Sequence, residues 1–339
     1  MAEALARRTA NPWHHRYAKL VAACTVLLIA AGGMVTSTDS GLSVPDWPTS
    51  YGWNMFTFPM NQWVGGIKYE HSHRLIASTV GFLTIILAGW TWWVDSRPWV
   101  RKLGFAALGA VILQGLLGGL TVIFFLPPAI SIGHAGLAQI FFCLTITLAV
   151  VTSPGWKLAP APVDDQTLRR MAIATTALIY TQILVGATMR HTNAGMAIPD
   201  FPYAFGQILP PVWNAKIAIH FAHRVGALLV TVAILATASH ALYHHRGRRE
   251  LVRPAFLLLL LVSMQVTLGA FVVWSGMDPV INTAHVVNGA LVLATSLVLT
   301  LRAVQRSWLA GHPALSPAPG SSARSSAVPG PPVRAEARS

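Results

Sequence analysis

Apolar residues in this chain come in long unbroken runs rather than in alternation. The first extends from Leu20 to about Val35, and others cover about 69–93, 103–126, 130–151, 171–189, 217–239, 254–274 and 283–301. Each approaches the ~20 residues that a helix needs to cross the hydrocarbon core of a bilayer, so the pattern predicts eight transmembrane helices. Between the first two runs Pro45, Pro48 and Pro59 break the pattern, and Trp47, Tyr51, Trp53 and Trp63 supply aromatic rings of the kind that settle at a membrane interface. A basic start ahead of a short apolar core also describes a cleaved signal peptide, but the internal repeat set out below needs the first helix, which is therefore kept.

The polar gaps alternate in basic content. Arg97, Arg101 and Lys102 fill one gap, and Pro127, Pro128 and Ala129 make the next without a cation. Lys157, Arg169 and Arg170 follow, then Arg190 and Lys216 spread over a long loop, then Arg246, Arg248, Arg249 and Arg253. No cation falls between Ser275 and Asn282, and Arg302 and Arg306 come last. The positive-inside rule then places both termini in the cytoplasm. From His312 onward the chain is mostly Pro, Ser, Ala and Arg, a composition with little to bury that reads as a disordered cytoplasmic tail. The expected organisation is a cytoplasmic N-terminus (1–19), a four-helix half (20–152), a cytoplasmic linker (153–170), a second four-helix half (171–303) and the tail (304–339).

Composition agrees with this reading. The 339 residues are 54% hydrophobic and 10% charged, against about a quarter charged in soluble domains. A net charge of +13 raises the question of nucleic acid, but the cations sit in short gaps with no basic amphipathic face, so membrane orientation accounts for them and nucleic acid is excluded. Cys24 and Cys143 both lie inside apolar runs, where a thiol is a small packing group.

Two halves of the chain repeat one another. Gly41-Leu42-Ser43-Val44-Pro45-Asp46-Trp47-Pro48, with Gly52, is matched by Gly195-Met196-Ala197-Ile198-Pro199-Asp200-Phe201-Pro202, with Gly206. Gln114 and Gly118 correspond to Gln265 and Gly269, His73-Arg74 to His223-Arg224, and His134 to His285. An even number of spans separates equivalent helices, so the copies share one orientation. The expected fold is an all-α membrane protein of two tandem four-helix bundles, related by pseudo-two-fold symmetry along the membrane normal.

With that topology, His73, His134, His223 and His285 all fall in the first turns of even-numbered helices, near the outer face. Each half contributes two histidines from different helices, which suits two axial imidazoles gripping a flat macrocycle inside a four-helix bundle. Gly81, Gly136, Gly226 and Gly289 are close by in sequence and would let backbone approach a porphyrin face, or serve ordinary helix contact. Zinc fits these positions less well, because cysteine is absent from them. Glu70-x-x-His73 places carboxylate and imidazole on one helix face, whereas the second half has His220 where the first has Glu70. A carboxylate there could relay protons or stabilise developing positive charge, or simply pair with Arg74 four residues on. Arg74 and Arg224 read either as snorkelling interfacial cations or as partners for porphyrin propionates. His14, His15, His244, His245 and His312 read as surface residues, and His71, His191 and His240 have no repeat partner.

These residues resemble the heme A synthase family, membrane enzymes that oxidise a methyl group of heme O to the formyl group of heme A. The resemblance covers roughly 20–305 and rests on Glu70-x-x-His73-Arg74, the Gly41 to Pro48 loop, eight helices in two similar halves and the four spaced histidines. It implies that His73 and His134, with Arg74, hold the substrate heme, and that His223 and His285, with Arg224, hold a b-type heme through its iron. It also implies that Glu70 is required for turnover and that oxidation proceeds stepwise through an alcohol, for terminal oxidase biogenesis. The implied setting is the bacterial inner membrane, among its lipid, near heme O synthase and oxidase assembly factors, with an electron donor or acceptor not identified by the resemblance. Many bacterial members carry a cysteine pair in the first outer loop; here Val44 stands at the usual first position, which places the chain in the cysteine-lacking subset. Two other functions stay open on the residues alone: a membrane carrier or chaperone that stores heme on the same bis-histidine sites, and a diheme b-type cytochrome linked to quinone. Glu70 favours the enzyme, because a carrier has no evident use for a carboxylate in one half only.

Overall fold

The computed structural model describes residues 11–157 and 163–310. Its helices are α1 (Pro12–Ser37), α2 (Ile67–Val94), α3 (Pro98–Ile123), α4 (Pro128–Val151), α5 (Gln166–His191), α6 (Ala215–His244), α7 (Arg249–Trp274) and α8 (Pro279–Ala310), with short helical turns between some of them. Among the described residues these eight, and no others, are long and apolar enough to cross a bilayer. The chain is therefore an all-α, multi-pass membrane protein.

Local chemistry sets where the helices begin. The Asn11 side chain accepts from the backbone N–H of Trp13 and His14 at 3.0 and 3.2 Å, and Pro12 occupies the first turn, so α1 starts eight residues ahead of its apolar run. His14 is consequently buried, with Nε2 2.9 Å from Thr91 Oγ1, and His15 Nδ1 lies 3.4 Å from Thr152 Oγ1. The expectation that His14 is a surface residue is thus corrected: its partner comes from a helix 77 residues away. Asp165 and Asn214 cap α5 and α6 in the same manner. At the other end α8 continues past the predicted boundary at 303, tied down where Arg302 Nη1 donates to the Gly155 carbonyl and Gln305 Nε2 to that of Trp156. The rest of the expected tail, 311–339 with His312, lies outside the described residues, as does 158–162 of the linker.

Within the first half α1, α2, α3 and α4 pack in sequence and α4 returns to α1; α5 to α8 close in the same way. The halves meet through α1 with α8, α4 with α5 and α4 with α8. Small residues allow this approach: a Cβ on Gly33 would lie 3.3 Å from the Thr283 methyl, and one on Gly136 2.8 Å from Leu184 Cδ2. Asn282 Nδ2 also donates to Ser37 Oγ at 3.0 Å across the same seam.

The buried apolar core of each half is concentrated at one end of the bundle. In the first half it contains Val80, Leu87, Phe141 and Leu148, and in the second Val230, Ile234, Val292 and Leu299. Val80, Phe141, Val230 and Val292 each stand seven residues beyond a candidate histidine, about 10 Å along the helix. Neither of these two large clusters includes buried residues at the histidine level. There the bundles are instead covered by the loops after α1 and α5. A Cβ on Gly119 of α3 would lie 2.5 Å from the Trp47 ring, and Trp274 Nε1 at the end of α7 donates to the Phe201 carbonyl at 3.2 Å.

Candidate active site

The two covering loops are folded by the same contacts. Asp46 accepts from the Thr49 hydroxyl at 2.5 Å and from the N–H of Tyr51 and Gly52 at 2.7 and 2.8 Å; Asp200 accepts from the N–H of Phe205 and Gly206 at 2.7 and 2.8 Å. Each carboxylate thereby closes a turn with two successive left-handed residues, Tyr51 and Gly52 (φ 51° and 75°) or Phe205 and Gly206 (57° and 75°). Only glycine adopts the second conformation without cost. Partial burial works against the Asp46 charge, but the Gly52 amide, the Thr49 hydroxyl and the Tyr51 amide together hold its carboxyl below the usual range. For Asp200 the Gly206 amide is the main cause of the same downward shift.

Arg74 and Arg224 fasten these loops to the bundles. Arg74 Nη1 donates to the carbonyls of Asp46 and Thr49 at 2.7 and 3.0 Å, and Nη2 to the Val44 carbonyl at 2.8 Å and to Glu70 Oε1 at 2.7 Å. Arg224 Nη1 donates to the Tyr203 carbonyl at 2.8 Å, and Nη2 to those of Asp200 and Ile198 at 2.6 and 3.2 Å. Its Nε is buried without an acceptor among the described residues.

Beneath the arginines the halves differ in charge. Glu70 is buried, and its Oε2 accepts from the Val44 amide at 2.8 Å. His220, at the matching place in α6, accepts from the equivalent Ile198 amide on Nδ1 at 3.3 Å, and lies 3.1 Å from the Ala194 carbonyl. One loop amide is thus answered by an anion in the first half and by an imidazole in the second. Next to Glu70, His71 is fully buried between Phe58 and Trp63, ring centroids 5.0 and 4.7 Å away, and its Nδ1 lies 3.1 Å from Ser50 Oγ. It too belongs to the loop mounting.

The four candidate histidines share one setting. Each ring edge lies against a glycine of the preceding helix: a Cβ would stand 3.0 Å from His73 Cε1 at Gly32, 3.2 Å from His134 Cε1 at Gly118, 2.9 Å from His223 Cε1 at Gly186 and 3.2 Å from His285 Cε1 at Gly269. Three are also held by a glutamine one turn before that glycine. Gln114 Nε2 donates to the His134 carbonyl at 3.0 Å and meets its Nε2 at 3.3 Å; Gln265 does the same for His285 at 3.1 and 3.2 Å. Gln182 Nε2 donates to the His223 carbonyl and Nδ1 at 2.7 and 3.0 Å. Opposite His73 the corresponding residue is Leu28, and His73 has no such partner. Nδ1 of His73, His134 and His285 is buried with no hydrogen-bond partner among the described residues. All four side chains are half-buried, neither sealed in packing nor at the surface. His73 lies within electrostatic reach of His134, and His223 of His285.

The glycines expected beside a ligand face are not the ones that touch the rings. Gly81 has open space around it, Gly136 faces Leu184, and Gly226 and Gly289 face Gln182 and Gln265. Sequence reasoning missed Gly32 and Gly186, although they keep the 154-residue offset that relates Gly41 to Gly195. Gly186→Ala is expected to push the His223 ring off its seat, because a Cβ there would stand 2.9 Å from Cε1, and to lower the thermal unfolding temperature by a few degrees; Gly81→Ala, with open space around it, should leave that temperature unchanged. His240 and His245, one without a repeat partner and the other expected at the surface, both reach Asp165 at the opposite end of α6. Cys24 and Cys143 are free, partly buried thiols of α1 and α4.

Two closed four-helix membrane bundles, each presenting a pair of half-buried imidazoles beneath an arginine-fastened loop, define a histidine-paired polytopic membrane protein. Residues 15–297 match the family model described as COX15-CtaA, cytochrome oxidase assembly protein, and the chain belongs to that family. Among its relatives, the protein named heme A synthase from Halalkalibacterium halodurans is 29% identical over 290 residues, 83% of this chain and 95% of the relative. The heme A synthase of Shouchella clausii is 31% identical over 252 residues, 73% of this chain and 82% of its own length. That of Geobacillus kaustophilus is 28% identical over 281 residues, covering 79% and 84%.

Proposed function

We propose that His73 and His134 receive heme O in the first bundle and that His223 and His285 hold a resident heme b in the second, the bundles being related by a pseudo-two-fold axis along the membrane normal. The chain is an oxidoreductase that converts heme O to heme A. One observation carries the assignment of its sites: each half ends in two imidazoles from different helices, backed by glycine, at a level where the large apolar core clusters stop. The residues fit the group. Each ring is backed by a glycine and three are backed by a glutamine amide, while Nδ1 of His73, His134 and His285 is left without a hydrogen-bond partner among the described residues, so these side chains would be the ones to hold the iron. Matching contact patterns, with α1 on α8 answering α5 on α4, support the two-fold relation.

When bound, heme b supplies the one-electron chemistry that amino acid side chains lack. The protein supplies position and charge. Arg74 and Arg224 hold the loops over the pockets, and the spare Nε–H of Arg224 is placed to meet a propionate. Glu70 holds a negative charge beside the first pocket, where it accepts a proton or stabilises positive charge developing at the substrate methyl carbon; His220 gives the second pocket no such charge. Basic loop content supports cytoplasmic termini in a bacterial inner membrane. Heme O synthase, oxidase assembly factors and an electron donor are the partners such a reaction requires.

The test is expression in a host that accumulates heme O, with extracted hemes separated by chromatography. Heme A should appear, and the purified protein should carry one b heme together with O- or A-type heme by pyridine hemochrome analysis. Unconverted heme O would leave a carrier, and two b hemes a diheme cytochrome.

A further inference from the structure

At the end of α6 remote from His223, some 25 Å along the axis, a second group of ligand-type side chains converges. Asp165 is the N-cap of α5, and its Oδ1 is engaged by the Leu168 amide at 2.8 Å. Its Oδ2 is met by Nε2 of His240 at 2.8 Å and Nε2 of His245 at 2.9 Å. The three candidate donor atoms lie within 4.8 Å of one another. His244 stands beside them, its ring centroid 4.5 Å from that of His240.

We infer that Asp165, His240 and His245 form a binding site for a divalent first-row transition cation, with Zn2+ the best match. Two imidazole nitrogens and one carboxylate oxygen, with a fourth position open, make a donor set suited to tetrahedral zinc. Around an ion with bonds of about 2.0–2.1 Å, tetrahedral donors sit roughly 3.3 Å apart. The present separations of 2.8 and 2.9 Å need open by only about half an ångström, a rotamer adjustment. The side chains are 15–20% exposed, enough for an ion and its water to enter and too little for free rotation. Sequence adds a local signature, His240-x-x-x-His244-His245, in which the first two share a helix face. The ligands come from the start of α5 and the end of α6. A bound ion therefore clamps together two helices whose opposite ends carry Gly186 and His223.

The test uses the full chain purified with a tag that contains no histidine, stripped with chelator and titrated with ZnCl2 by calorimetry. The expected result is one ion per chain with a Kd of about 1 μM or tighter, and Co2+ in its place giving the visible bands of a tetrahedral site. Asp165→Asn retains the helix cap, and combined with His245→Ala it should weaken binding at least ~100-fold. His15→Ala, outside the cluster, should leave binding unchanged. Wild-type protein without saturable one-to-one uptake would overturn the inference whatever the variants do, and so would uptake retained by Asp165→Asn/His245→Ala. Heme content plays no part in this readout, so the site stands or falls apart from the heme assignments.

Discussion

Glu70→Gln is expected to lower conversion of heme O by about 100-fold or more while leaving the spectrum of the heme b proposed for the C-terminal half intact. Glutamine still offers an oxygen to the Val44 amide, so the loop keeps one of its fastenings. What it removes is the charge. Arg74 loses its only carboxylate partner among the described residues but keeps three carbonyl acceptors. Breaking a buried pair on one side commonly costs about 3–5 kcal/mol, so thermal unfolding is measured beside product yield. A mere fastening role would make yield follow the fraction of folded protein. Loss of product from fully folded protein assigns the carboxylate to the reaction, and undiminished product removes it.

The other large effect is expected in the second half. On the proposed assignment, His223→Ala or His285→Ala should each reduce heme b content at least about ten-fold, because each removes one of the two imidazoles that would hold the group. His73→Ala and His134→Ala should spare that absorbance and abolish retention of heme O instead. Absorbance of purified variants, with extracted hemes separated by type, tells the two patterns apart. Equal loss of heme b from all four variants would contradict the division of labour between the halves.

Much of this could be read from the amino acids because bilayer burial writes itself as length. Eight apolar runs became eight helices, and loops matched in sequence became loops that share their main fastenings, the turn amides on Asp46 and Asp200 among them. Features resting on contacts between distant segments could not be read in that way. Hydropathy placed the start of α1 at Leu20 because it does not register a cap, whereas Asn11 and Pro12 begin the helix among polar residues that α2 then buries. Gly81 and Gly226 are legible as small residues near the histidines in sequence, but the glycines that seat the rings, Gly32 and Gly186, come from the helix before and show only in the packing. The arginines left two readings open, since nothing in a sequence shows that backbone carbonyls will crowd round a guanidinium.

Because the fully buried members of the large apolar clusters stop two turns short of the histidines, stiffness is shared unequally along each bundle. The end remote from the histidines is held by dispersion forces among close-packed side chains, while the histidine end relies on a few oriented polar contacts. On the proposed assignment, the pocket that must admit one tetrapyrrole, alter it and release it lies where opening is least costly, on a foundation that need not move.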